Sequence, residues 1–86
     1  METMTYNCGS VEKKSTWTYA FFPTFNHLNR QMRHTAYKVA VALGEKFPYT
    51  DPTVLDGPGY DLQVVFEIET DDQLPAILAM IKKIKA

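Results

Sequence analysis

The sequence contains a single cysteine, Cys8, among its 86 residues. One cysteine excludes an intramolecular disulfide, and a reducing compartment is the simplest interpretation, so we expect a cytoplasmic protein. No apolar run approaches the roughly 20 residues that span a bilayer. The first residues also lack the basic and apolar regions of a signal peptide. We therefore expect no membrane partner.

The sequence also lacks the common nucleotide-binding and nucleophile motifs. It has no G-x-x-x-x-G-K-[ST], G-x-G-x-x-G, G-x-S-x-G or H-E-x-x-H. Cys8 with His27 or His34 is a weak candidate for a nucleophile and its base. His27 and His34 are seven residues apart, roughly 10 Å along a helix, which is too far for one metal ion. Glu67 and Glu69 can share a strand face, but we expect them to be solvated. We predict no catalytic residue, no cofactor and no metal.

What the sequence does contain is enough apolar material for one small domain. Apolar residues make up 45% and aromatic residues 13% of the chain, so we expect an ordered core. A chain of this size has a thin stability margin, and small domains with open sheet faces often complete their cores by association. We therefore expect a homo-oligomer. The charge is segregated, because residues 1–50 carry a net +3 and residues 51–86 a net −4.

The clearest element is a strand over residues 60–69. Leu62, Val64, Phe66 and Ile68 alternate with mostly polar residues, which predicts a strand with one buried face. Two further strands are predicted over residues 3–8 and 15–22, with a turn at Gly9-Ser10 and a polar connection over 11–14. Pro23 should end the second of these strands.

Two amphipathic helices complete the predicted elements. The first should run from about His27 to about Phe47, with Gly44 as its C-terminal stop. The second should begin with Asp71 or Asp72 as its cap and carry Pro75 in its first turn. The intervening loop, residues 48–59, contains Thr53-Val54-Leu55 as a candidate short strand.

The resulting order is β-β-α-(β)-β-α. We predict an α+β two-layer sandwich, in which two helices cover one face of a mostly antiparallel sheet of three or four strands. Trp17, Tyr19 and Phe21 share one side of a predicted strand. Because both sides of that strand are partly apolar, we predict that these three aromatic residues form the oligomer interface.

The outward face of the first helix is the main candidate binding surface. Arg30, His34, Tyr37 and Val41 follow helical spacing, Arg33 and Lys38 flank them, and no acid follows until Glu45. A solvated helix face is the plain alternative, but surface helices usually mix charges of both signs. We expect Arg30, Arg33, His34, Tyr37 and Lys38 to bind a protein partner, as in a small regulator or inhibitor. The alternative is an RNA or single-stranded nucleic-acid binder, with Tyr37 stacking on a base.

Overall fold

The structure is a computed structural model that describes residues 3–6, 8–24, 29–57 and 59–84 of the chain. Its strands are β1 (Thr3–Tyr6), β2 (Gly9–Lys13), β3 (Thr18–Pro23), β4 (Thr53–Gly57) and β5 (Tyr60–Glu67). Its helices are α1 (Asn29–Lys46) and α2 (Leu74–Lys83), and two short 3₁₀ turns lie at Pro48–Thr50 and Asp71–Gln73. Neither α1 nor α2 is long and apolar enough to cross a membrane.

The five strands form one open antiparallel sheet in the order β1-β2-β3-β5-β4. The helices share one hydrophobic core on one face of this sheet. The predicted α+β sandwich is therefore confirmed, with five strands where three or four were expected. The candidate short strand Thr53-Val54-Leu55 is present within β4, which pairs with β5 in a hairpin.

The additional strand is β2 (Gly9–Lys13), which occupies residues that the sequence indicated as a turn and a polar connection. The charged residues Glu12 and Lys13 do not suggest a buried strand. Val11, which precedes them, is nevertheless fully buried opposite Phe21. A single buried apolar residue is enough to fix a five-residue strand when both neighbouring strands supply backbone partners. The strand joins β1 and β3 into a three-stranded meander.

The core lies between the helices and the central strands β3 and β5. Val64 and Phe66 in β5 and Ile68 just after it are buried and Leu62 is partly buried, which confirms the predicted alternation, although β5 ends at Glu67 and not at Glu69. The rings of Tyr19 and Phe66 face each other across the two strands, with their centroids 5.9 Å apart. The helices complete the core with a set of buried residues: Ala36, Val39, Leu43, Ile77, Met80 and Ile81.

The helix ends differ in detail from the prediction. Residues 25–28, and with them the predicted start of α1, lie outside the described residues. Gly44 does not stop α1, which continues to Lys46 and ends before Pro48 because proline cannot extend it. At α2, the side-chain oxygen of Gln73 accepts from the backbone N–H groups of Glu69 and Thr70 at 2.7 and 3.2 Å. Thr70, in extended conformation, therefore caps the 3₁₀ turn Asp71–Gln73, and Gln73 takes the N-cap position of α2 that was assigned to Asp71 or Asp72.

Cys8 lies in the turn between β1 and β2 and connects this turn with α2. Its thiol is fully buried and donates to the carbonyl oxygen of Ile81 in α2 at 3.5 Å. Burial raises the pKa of the Cys8 thiol above its ordinary 9.0, and it also raises the pKa of the neighbouring Tyr6 hydroxyl above 10.0. Both groups are therefore held in their neutral forms.

Replacing Gly9 with alanine should destabilise the fold by about 2–3 kcal/mol. A Cβ atom at Gly9 would lie 2.1 Å from the carbonyl oxygen of Phe22, so the β2–β3 pairing would have to shift. Gly57→Ala is the matched control, because a Cβ there meets no described atom within 4 Å. Urea denaturation of the two variants measures the difference, and equal midpoints would contradict the close approach at Gly9.

The free energy of unfolding should fall as the pH rises above 9.0, the ordinary pKa of cysteine. The unfolded chain loses the Cys8 proton there, whereas the folded chain keeps it until a higher pH, so alkali favours unfolding. Urea midpoints across a pH series test this, with Cys8→Ala as the comparison. The variant should lose stability less steeply in alkali than the parent protein, and parallel pH profiles would show that the thiol does not contribute.

Candidate functional site

The side of α1 that faces away from the sheet carries the most exposed large apolar side chains of the described helices. Tyr37 is 54% exposed and Val41 is 57% exposed, and the two are one helical turn apart. The opposite side of α1 is buried through Ala36, Val39 and Leu43, which anchor the helix over β3, β5 and β4. The exposed side is therefore rigidly presented.

A shallow open groove of about 390 Å³ follows this side of the helix. It is lined by His34, Tyr37, Lys38, Val41, Ala42 and Glu45. Tyr37, Val41 and Ala42 provide the apolar part, whereas His34 and Lys38 are basic and Glu45 at the C-terminal end is acidic. We call these six residues the α1 groove. Three of the five residues predicted to bind a partner, namely His34, Tyr37 and Lys38, are brought together in it.

Arg33 belongs to a different flank of the helix. Its Nε donates to Oδ2 of Asp56 on β4 at 2.7 Å, and this ion pair is partly exposed. The positive charge of Arg33, which the sequence indicated on the outward face, is therefore paired with a carboxylate 23 residues away. Sequence reasoning missed Asp56, since only the docking of α1 beside β4 brings the two together.

The remaining predicted binding residues have different positions. Arg30 lies in the first turn of α1 and its side chain is outside the described part, as is all of His27. Of the three residues predicted at the oligomer interface, Tyr19 and Phe21 are buried beneath the helices and are not available to a second chain. The aromatic side of β3 is the side the helices cover. Only Trp17, 44% exposed and just before β3, remains at the surface.

The weak catalytic candidates have these environments. Cys8 is buried and its thiol pKa is raised, with a smaller opposing effect from Lys38, whereas an activated cysteine needs a lowered pKa. Glu67 and Glu69 are exposed at the end of β5. Among the residues that the structure describes, no group of three or more His, Cys, Asp or Glu side chains is placed to hold a metal ion.

Comparisons of the chain with protein-family models, curated proteins and solved structures found no match.

Neutralising Asp56 should change stability by less than about 1 kcal/mol, because exposed ion pairs contribute little. Asp56→Asn removes the partner of Arg33, and Asp61→Asn removes an exposed carboxylate for which no ion pair is seen among the described residues. Both variants change the net charge equally, so any excess loss in Asp56→Asn measures the pair. That excess should shrink in high salt. A larger, salt-independent loss would show that the pair is needed to dock α1.

Proposed function

We propose that this protein is a small non-enzymatic binding protein, a regulator or inhibitor that holds a protein partner against the α1 groove. The observation that carries the proposal is the exposure of Tyr37 and Val41 side by side on a helix whose other face is locked into the core. Aromatic residues in a rigid setting are the usual anchors of protein interfaces. The lone cysteine favours a reducing compartment such as the cytoplasm.

The charges around the groove indicate the chemistry of the partner. Along α1, His34 precedes the apolar residues of the groove, Lys38 lies beside them between Tyr37 and Val41, and Glu45 follows them. A complementary surface would be apolar at its centre, acidic opposite Lys38 and basic opposite Glu45. Such an arrangement fixes the direction in which a partner helix or strand lies along α1.

The same charges favour a protein over a nucleic acid. The Arg33 guanidinium is paired with Asp56, and Glu45 adds a negative charge within the groove. Phosphate binding depends on several uncompensated cations, and the described part of this face offers few. The total charge of −1 points in the same direction. RNA binding through Tyr37 stacking is therefore the second hypothesis and an outcome of the test below.

Tyr37→Ala and Val41→Ala should each weaken capture of the partner about 10-fold or more, because each removes an apolar anchor. The measurement is a tagged pull-down from cytoplasmic lysate at moderate salt, divided into nuclease-treated and untreated halves. The captured protein is identified by mass spectrometry, and its affinity for each variant is then measured with the purified partner. Both substitutions are at exposed positions, so thermal unfolding should change little.

Tyr49→Ala is the matched control, since Tyr49 is also exposed but lies outside α1, after Pro48. It should capture the partner as well as the parent protein does. Equal capture by all three variants would remove the α1 groove from the interface. Co-purification of nucleic acid, with loss of captured proteins after nuclease treatment, would establish the RNA alternative in its place.

A further inference from the structure

The two edges of the sheet are protected to very different degrees. The β4 edge follows Pro52, carries the charged Asp56 and has a register irregularity between Leu55 and Gly57. All three features are devices that keep an edge strand from pairing with another chain. The β1 edge, Thr3-Met4-Thr5-Tyr6, has no charge, no proline and a regular register with β2.

The direction of the free backbone groups on β1 follows from two hydrogen bonds beside β2. The carbonyl of Cys8 accepts from the N–H of Thr24 at 2.9 Å, and the N–H of Lys14 donates to the carbonyl of Thr18 at 2.8 Å. The backbone N–H and C=O groups of the even-numbered residues in this segment therefore point toward β3. Those of the odd-numbered Gly9 and Val11 point toward β1. Tyr6 and Met4 are the β1 residues paired with Gly9 and Val11, so their backbone groups point toward β2. Thr3 and Thr5 therefore direct their N–H and C=O groups out of the sheet.

The core-facing side chains on the β1 edge are only partly covered. Met4 and Tyr6 pack against the margin of the core and are only partly buried, whereas Thr5 on the other face is exposed. Both Met4 and Tyr6 lie on the helix-covered side, because they stand opposite Val11 and Gly9. Within the described residues, β1 has a strand neighbour on the β2 side alone.

We propose that two copies of this chain pair through β1 to form a symmetric dimer with a continuous ten-stranded antiparallel sheet. A two-fold axis at Thr5 places Thr5 opposite Thr5 of the second copy, where their outward groups exchange two hydrogen bonds. Met4 of each copy then stands opposite Tyr6 of the other in a non-hydrogen-bonded pair, the position where cross-strand side chains are closest. Methionine and tyrosine make favourable sulfur–aromatic contacts there.

The strand is complementary to itself in this one register. A one-residue shift would bring the exposed Thr5 of one copy opposite a core-facing residue of the other. The core-facing side chains of the two copies would then lie on opposite faces of the joint sheet. The chain's net charge of −1 provides little repulsion between copies. The dimer is independent of what the α1 groove binds, but it places two such grooves on one side of the sheet, roughly 34 Å apart by strand spacing. Binding to a repetitive or dimeric partner would then be bivalent.

Thr5→Pro and Thr5→Lys test the dimer in the full chain by sedimentation velocity over a range of concentrations. Proline removes the outward N–H at the axis without removing a bond to β2, and lysine places two like charges opposite each other. Each should raise the dimer dissociation constant by at least about 100-fold and leave a folded monomer. Thr5→Val keeps the backbone groups and the β propensity, and it should remain dimeric.

Either of two results would overturn the proposal. One is a parent protein that stays monomeric at millimolar concentration, and the other is a dimer that both Thr5→Pro and Thr5→Lys leave intact. If Thr5→Pro fails to fold, Thr5→Lys decides, because it changes no backbone group. Partner capture by a monomeric Thr5→Lys variant separates this proposal from the function of the α1 groove, since capture by one groove does not require the dimer.

Discussion

The pairing of β3 with β5 is the constraint on which the rest of the structure depends. It joins residues more than 40 positions apart, and it brings Tyr19 against Phe66 and Phe21 against Val64. These four side chains form the part of the sheet face against which the helices pack. Because α1 is buried against the sheet along one side, Tyr37 and Val41 on its opposite side remain exposed.

Much of this architecture could be predicted from the sequence where one periodicity dominated. The period-2 pattern of residues 62–68 identified β5 and its buried side. The strand β2 could not be found this way, because Glu12 and Lys13 carry charges and only Val11 marks its buried side. The side of β3 that the helices cover was also undecidable, since Tyr19 and Phe21 on one side and Ala20 and Phe22 on the other are all apolar. Which side of β3 is covered depends on the pairing of β3 with β5, whose buried residues Val64 and Phe66 stand opposite Phe21 and Tyr19.

The candidate site divides in the same way. Helical spacing was enough to place His34, Tyr37, Lys38 and Val41 on one exposed side of α1. It could not show that the Arg33 charge is matched, because Asp56 comes from a strand that was predicted as mainly loop. Periodicity within an element is local, whereas charge balance at a surface depends on which elements become neighbours. The result is a surface more apolar and less basic than the helix sequence alone indicates.

The hydrogen bond from Cys8 to Ile81 connects a residue near the start of the chain with one 73 positions later. During synthesis on the ribosome the first hairpin emerges long before α2, so its turn has no partner to bury it. The meander can form early because its contacts are local, but the cover over Cys8 can close only after α2 has been released. In a nascent chain the Cys8 thiol therefore lacks the cover of Ile81 until α2 has been synthesised and released.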